Sequence, residues 1–269
     1  MITNNNITKV SNKKLVDPYH ESGTKPQQAQ ISLNCTYELV GDVVGTNGKN
    51  GVTINLGAPG QGEEATVATS SLDGEMMLST LWSQYFYAWS VDVTIDVDEG
   101  SKGKVNIYQE GPLTTTESQT MTSTINFNAG FFGDAPTGGT SLGSSASQTI
   151  PNFAVENMSQ HLSGLLNQKY YLASLGDHPE GIKTPKTAPK QAYSNIPIIS
   201  QGLWVTDKDF TGKTTFKITI KLNLVAAHAN LAENICKHSD LTLESSFEVD
   251  WGEYSNLIKA PQLRSDAVT

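Results

Sequence analysis

The feature that most constrains this chain is a charge-poor stretch near its middle. Between Glu117 and Glu156 the 269-residue chain carries a single charged side chain, Asp134. The stretch is too polar for a transmembrane helix, which needs about 20 mostly apolar residues. It is also too poor in charge for an ordinary soluble surface. These properties indicate a β-hairpin with one polar and one apolar face.

Side chains alternate in character along both arms of this segment. In the first arm the odd positions from 121 to 131 are largely apolar, and the even positions are polar or glycine. Successive strand residues point to opposite faces, so each arm has one apolar face. The turn between the arms is predicted at Asp134, Pro136, Gly138 and Gly139, residue types that favour turns.

The alternation matches that of a membrane β-barrel, which is apolar towards lipid and polar towards its lumen. Each arm supplies the roughly 9–11 residues that a tilted strand needs to cross a bilayer. One hairpin cannot close a barrel, so several chains would each contribute one. An ordinary surface hairpin of a β-sandwich alternates as well and remains the alternative. The predicted lipid-facing residues are Met121, Ile125, Phe127, Phe131, Leu142 and Ile150, and the predicted lumen-facing residues are Thr122, Thr124, Asn126 and Asn128.

Composition narrows the class of protein. Thr, Ser, Asn and Gly recur between short apolar runs, which predicts an all-β chain. The net charge is −9 and the pI is about 5.0. An acidic chain lacks the basic surface that nucleic acid requires, and anionic lipid would not drive its membrane binding.

The beginning of the chain lacks the apolar run of a signal peptide. We therefore expect either that a leader has been removed or that the product leaves the cell by another route. The sequence has no continuous transmembrane helix, so we expect the protein to be made first as a soluble molecule.

Two cysteines, Cys35 and Cys236, lie far apart in the sequence and without metal-site spacing around them. Two interpretations are open. Both can be small core residues, or they can form a long-range disulfide in a secreted protein.

Strands are predicted on both sides of the hairpin. The strongest pattern runs from Leu81 to Val97, where Val91, Val93 and Ile95 alternate with polar residues. Further strands are predicted at 31–40, 52–56, 105–108, 214–222, 225–229 and 241–251. Residues 1–30 are predicted to form a flexible polar arm, 155–168 are ambiguous between helix and strand, and 176–197 are predicted to form a long irregular loop.

Catalytic and metal-binding patterns are weak. Gly139–Gly143 spells G-x-S-x-G around Ser141, but that motif needs a strand before it and a helix after it, and turn residues stand there instead. The five histidines show no metal-ligand spacing. We therefore predict no enzyme activity, no catalytic residue, no metal and no cofactor.

Taken in order, several segments resemble the leukocidin/α-hemolysin family of bacterial β-barrel pore-forming toxins. Ile107–Gln119 and Thr124–Asp134 are similar to the family's stem entry and stem. Pro197–Trp204 resembles the segment before its late strands. Phe216–Ile220 and Phe247–Glu253 resemble its last strands.

The resemblance implies a mainly β protein: a β-sandwich cap, a lipid-touching rim, and a pre-stem hairpin that becomes part of an oligomeric transmembrane barrel. It implies a secreted toxin whose partners are a target-cell lipid or receptor and either copies of itself, in a ring of seven or eight, or a second component. The implied parts are an amino-terminal latch (1–30), a first cap portion (31–112), the stem hairpin (113–152), the rim and connections (153–205) and the closing cap strands (206–269).

The chain departs from the family at the rim. Family members often hold phosphocholine with a rim Trp and Arg, but residues 164–196 contain neither. The aromatic candidates for lipid contact are Tyr170, Tyr171, Tyr193 and Trp204, and core packing is the alternative for each. For the whole chain, the alternative to a toxin is a β-sandwich protein that binds cell surfaces or has a structural role without lysing cells.

Overall fold

The computed structural model describes residues 4–15, 27–41, 43, 45–56, 66–67, 75–79, 82–121, 150–171, 197–198, 200–230 and 234–253. These residues form strands almost throughout. The strands are β1 Asn4–Leu15, β2 Gln27–Val40, β3 Asn50–Leu56, β4 Thr66–Val67, β5 Glu75–Ser79, β6 Trp82–Val97, β7 Val105–Gly111, β8 Thr115–Met121, β9 Ile150–Asn157, β10 Leu166–Tyr171, β11 Pro197–Ile198, β12 Ser200–Thr206, β13 Lys213–Asn230 and β14 Asn234–Asp250. A 3-10 helix spans His161–Ser163.

The strands form two antiparallel sheets of seven. The first sheet has the order β11-β4-β2-β3-β12-β7, with β1 paired to β2. The second has the order β14-β13-β6-β10-β9-β8, with β5 paired to β6. The predicted mainly β class is confirmed. Within the described residues, no helix is long and apolar enough to cross a membrane.

A large apolar core lies between the sheets. Val91, Val93 and Ile95 of β6 are fully buried, as their alternation with polar residues predicted. They belong to one cluster with residues of the first sheet, such as Ile54 of β3 and Trp204 of β12. Burying each such side chain stabilises the fold by roughly 1.5–3 kcal/mol.

The last two strands are longer than the sequence predicted. Residues 214–222 and 225–229 were expected as separate pieces, but both belong to the continuous strand β13. A register shift against β6 occurs between Asn223 and Leu224, which explains why the alternation is interrupted there. The bulge changes the face of the following residues without ending the strand.

The predicted flexible arm contains a strand. β1 pairs with β2 from Asn4–Glu38 to Leu15–Gln27 without a register shift. At its far side, Lys9 donates through Nζ to the carbonyl of Glu244, and Ser11 donates to that of Thr242 at 3.5 Å. The expectation of flexibility was wrong for this strand. Its pairing uses backbone groups, which every polar residue carries, so composition gave no signal.

The ambiguous region 155–168 is mostly extended. It contains the end of β9, the 3-10 helix and the start of β10. The helical spacing of its apolar residues came from two strands separated by a tight turn. The predicted loop at 176–197 lies almost entirely outside the described residues.

Cys35 is a free and fully buried thiol, so a disulfide is not formed at this residue. Burial raises its pKa to about 12. The thiol therefore stays protonated at physiological pH and acts as a small apolar core residue.

Candidate functional site at the root of the hairpin

The charge-poor hairpin leaves the sandwich at one corner. β7 of the first sheet ends at Gly111, and β8 of the second sheet begins at Thr115. β9 returns from the hairpin and, as far as β10 is described, pairs with it from Ala154 to Asn157. We call the residues around this exit, from Glu110 to Thr114 and from Asn157 to Gly164, together with the contacting Gln168 and Ser200, the hairpin root.

The carbonyl of Pro112 is the central acceptor of the root. Asn157 donates to it through Nδ2 at 3.3 Å, and Gln168 donates through Nε2 at 3.0 Å. The backbone N–H of Asn157 also donates to the hydroxyl of Thr114 at 3.0 Å. The outgoing and returning arms are therefore tied together by side chains as well as by strand pairing.

Gln168 connects the root to both sheets. Its side chain is fully buried. Its Oε1 accepts hydrogen bonds from the hydroxyls of Ser200 at 2.7 Å and Tyr170 at 3.2 Å. Ser200 lies on β12 of the first sheet, whereas Gln168 and Tyr170 lie on β10 of the second. One amide thus joins the first sheet, the second sheet and the outgoing arm.

Two further polar contacts cross the same corner. His161 Nε2 lies 2.9 Å from Glu110 Oε1, and the Glu110 side chain is only 6% exposed. Trp204 donates through Nε1 to the carbonyl of Gly164 at 2.8 Å. With the Gln168 contacts they make this corner rich in hydrogen bonds, whereas the core cluster is apolar.

Burial determines the protonation of the two tyrosines near the root. Burial raises the pKa of Tyr170 well above its ordinary value, although the bond with Ser200 opposes the shift. Burial, followed by the bond to Glu156, raises the pKa of Tyr171 to about 12. Both hydroxyls therefore stay protonated and donate, Tyr170 to Gln168 and Tyr171 to Glu156 at 2.8 Å.

Only the base of the predicted membrane-inserting hairpin lies within the described residues. There Met121 pairs with Ile150, and both were predicted to face lipid. The other predicted lipid-facing residues (Ile125, Phe127, Phe131 and Leu142), the predicted lumen residues (Thr122, Thr124, Asn126 and Asn128), the predicted tip (Asp134, Pro136, Gly138 and Gly139) and Ser141 lie outside the described residues.

The predicted rim aromatics need a correction. Trp204 and Tyr170 are buried in the core between the sheets, and Tyr171 is only 7% exposed. A ring buried in this way cannot meet a lipid headgroup, so the alternative of core packing describes these residues. Tyr193 lies outside the described residues.

No sequence pattern indicated the root. Pro112, Gln168 and Ser200 are far apart in the chain, and none belongs to a motif. Exposed apolar side chains also occur at the root, including Leu113 and Leu162, the latter 81% exposed. Across the described ranges, no group of three or more His, Cys, Asp or Glu side chains could hold a metal ion.

Comparison with solved structures identifies the fold. The chain is 10% identical to Clostridium perfringens delta-toxin, with a TM-score of 0.52 over 92% of this chain and 91% of that one. The chain has the fold of the leukocidin/α-hemolysin toxins. The resemblance predicted from the sequence is confirmed for this toxin fold.

Two other structures are similar at lower scores. A pore-forming protein is 10% identical, with a TM-score of 0.48 over 92% of this chain and 93% of that one. The Clostridium perfringens NetB toxin in its membrane-inserted form is 10% identical, with a TM-score of 0.44 over 93% of this chain and 98% of that one. No protein-family model and no curated protein sequence matches the chain.

Proposed function

We propose that this chain is a secreted cytolytic toxin that forms pores. It binds a target membrane, assembles into a ring and inserts one β-hairpin per protomer into a common barrel. The observation that carries the proposal is the charge-poor, alternating hairpin, which leaves the corner of a sandwich with the fold of delta-toxin. The amino-terminal residues 1–30 would rearrange during assembly, and the partner in the membrane is a lipid or a receptor.

The register at the base of the hairpin supports one shared apolar face. Met121 is opposite Ile150. Continued from this pair without a shift, the ladder would set Ile125 opposite Ala146. The apolar positions of both arms would then share a face, as a strand pair in a membrane barrel requires.

Transfer of this face from water to lipid supplies the driving force. Each of the six predicted lipid-facing side chains gains roughly 1.5–3 kcal/mol, about 10 kcal/mol or more per protomer. Packing of the hairpin on the cap before insertion would reduce this gain.

Closure of the barrel makes insertion a collective event. An unpaired strand edge in hydrocarbon leaves backbone N–H and C=O groups without partners, at several kcal/mol each. A single inserted hairpin therefore stays unfavourable until neighbouring protomers pair with both of its edges.

Release of an encapsulated dye tests the proposal. The protein is added to vesicles of several lipid compositions, with and without cholesterol, and to a panel of animal cells. We expect leakage that rises steeply with protein concentration. A variant in which a short glycine linker replaces residues 122–149 should bind without leakage. Binding without leakage from every membrane by the intact chain would instead support a non-lytic β-sandwich protein that binds cell surfaces.

A further inference from the structure

The described strand pairing at the base of the hairpin does not by itself define one register. Between β8 and β9 only Thr115–Val155, Gln119–Phe153 and Met121–Ile150 are paired, with a shift between each pair and the next. The hairpin segment is also rich in glycine and serine. Strands of this kind specify their register weakly and can slip.

A slip of one residue would be costly for insertion. In the register of the Met121–Ile150 pair, odd positions of the outgoing arm face even positions of the returning arm. After a slip of one residue they would face odd positions, which include Ser145, Ser147 and Thr149. Each lipid-facing row would then contain the polar residues of one arm, since side chains alternate with a period of two.

The root supplies directional contacts beside the irregular pairing of β8 with β9. The Pro112 carbonyl accepts from both Asn157 and Gln168, so the outgoing arm is tied to the returning arm and to β10 at one atom. Gln168 is itself held by Ser200 and Tyr170. A buried hydrogen bond depends on distance and angle, whereas an apolar contact tolerates sliding.

We propose that Gln168 and Asn157 are positioning residues that set the register of the stem hairpin. They hold Pro112 in place while the hairpin beyond β8 moves, so that every protomer delivers its arms in the same register. This inference rests on the proposed pore-forming function and names what controls it.

Two variants remove the contacts in different ways. Gln168→Met keeps the length of the side chain and loses its hydrogen bonds. Asn157→Asp keeps the acceptor for the backbone N–H of Ser159 and replaces the donor to Pro112 with a charged oxygen, which repels the Pro112 carbonyl. Asn157 is partly exposed, so this second variant keeps the test decisive if Gln168→Met does not fold.

A matched control comes from a buried hydrogen-bond cluster away from the root. The Thr214 hydroxyl accepts from Trp251 Nε1 at 2.8 Å and from the Ser101 hydroxyl at 2.9 Å. Thr214→Val removes these bonds on β13, on the other side of β6 from β10. It should lower the melting temperature as Gln168→Met does, without touching the root.

The experiment measures bound protein, dye release and single-channel conductance for each variant. We expect both root variants to bind as the parent does, to release about tenfold less dye per bound molecule, the effect of losing one or two net hydrogen bonds, and to give a broadened range of conductances. Thr214→Val should keep the parent's release and its single conductance. Unchanged release and conductance in the root variants, or the same loss in Thr214→Val, would overturn the inference. Absence of leakage by the parent would instead refute the proposed function.

Discussion

The two strand pairs at opposite edges of the second sheet differ in how firmly their register is defined. β13 and β14 keep one register from Lys213–Asp250 to Ala229–Asn234. β8 and β9 shift register twice within the seven residues of β8. A regular ladder loses many bonds together when it opens, whereas an irregular one can separate and pair again. The sandwich thus has the properties of a fixed frame, and the hairpin those of an element able to change partners.

The side-chain contacts of the β13–β14 pair also differ from those at the hairpin root. Phe216 of β13 stacks on Phe247 of β14 at 5.2 Å and meets Trp204 edge-on at 5.7 Å. At the root the corresponding contacts are hydrogen bonds to Pro112 and Gln168. Apolar contacts supply stability in proportion to area, and hydrogen bonds supply geometry. We infer that stability and pore formation can be altered separately, and the following predictions test this.

The largest effect is expected from a charge on the predicted lipid face. Ile125→Lys or Phe127→Lys should abolish dye release, because a lysine at mid-bilayer costs about 2–4 kcal/mol per chain, repeated around the ring. The melting temperature of the monomer and the amount of bound protein should stay unchanged.

The neighbouring positions are the matched controls for this prediction. Thr124→Lys and Asn126→Lys should still release dye and shift ion selectivity towards anions in planar bilayers, because they place the charge in the lumen. Equal behaviour of the two sets would show that the face assignment is wrong.

The reverse test is a substitution in the core of the sandwich, which should lower stability and leave dye release unchanged. Phe216 is fully buried, and Phe216→Ala should lower the free energy of unfolding by about 3–5 kcal/mol. Dye release per folded, bound molecule should remain that of the parent. Urea unfolding measures the first quantity and vesicle leakage the second.

Leu162→Ala, at an exposed position, is the control for Phe216→Ala. It should change stability by no more than about 0.5 kcal/mol. If Phe216→Ala also reduced release per bound molecule severalfold, the sandwich and the hairpin would not be separable.

The sequence could predict a feature where burial determines the residue types locally. The alternation of Val91, Val93 and Ile95 with polar residues correctly predicted a half-buried strand, because burial of one face determines residue choice locally. β1 was missed because its pairing depends on backbone groups rather than side-chain character. The burial of Trp204 was left open, because an aromatic ring suits both a core and a membrane rim.

The root could not be predicted for a different reason. Glu110 and His161 are 51 positions apart, and Gln168 and Ser200 are 32 apart. Each is an ordinary polar residue in its local sequence. Only the packing of the two sheets brings them together, so a single sequence carries no local pattern for their contacts.

Gly164→Ala should lower both the free energy of unfolding and the dye release per bound molecule, each by less than the substitutions above. Gly164 has a φ of 72°, and an added Cβ would lie 2.7 Å from the carbonyl oxygen of Val105. Gly164→Ala should therefore cost about 1–3 kcal/mol of unfolding free energy through strain and overpacking. Because the Gly164 carbonyl accepts the Trp204 hydrogen bond, release per bound molecule should also fall.

Gly103→Ala separates strain from crowding. Gly103 has a φ of 76°, but beyond its two chain neighbours no heavy atom of the described residues lies within 4 Å of its added Cβ. Gly103→Ala should lower the free energy of unfolding only by the conformational cost of a left-handed alanine, about 1–2 kcal/mol. Dye release should stay unchanged. If both alanine variants lost the same stability and the same release, the close approach at Gly164 would have no role.

The smallest effect is expected at Asp98, in the turn that follows β6. Partial burial opposes ionisation of this carboxyl, but hydrogen bonds from Thr215, Ser101 and Gly100 outweigh it and lower its pKa below the ordinary 3.8. The Thr215 N–H lies 2.6 Å from Oδ2, and the Ser101 N–H lies 3.1 Å from Oδ1. The ionised carboxylate is therefore favoured by folding.

The sign of the pH dependence follows from this lowered pKa. Because the native pKa is below that of the unfolded chain, the contribution is fully present above pH about 5 and is lost as the pH falls through the native pKa. Asp98→Asn should lower stability at pH 7 by less than about 1 kcal/mol, since solvent screens the group. In urea unfolding the curves of parent and variant should converge towards pH 3, with dye release per bound molecule at pH 7 unchanged. A constant difference between pH 7 and pH 3 would mean that the bonds to Asp98 act through its shape and not its charge.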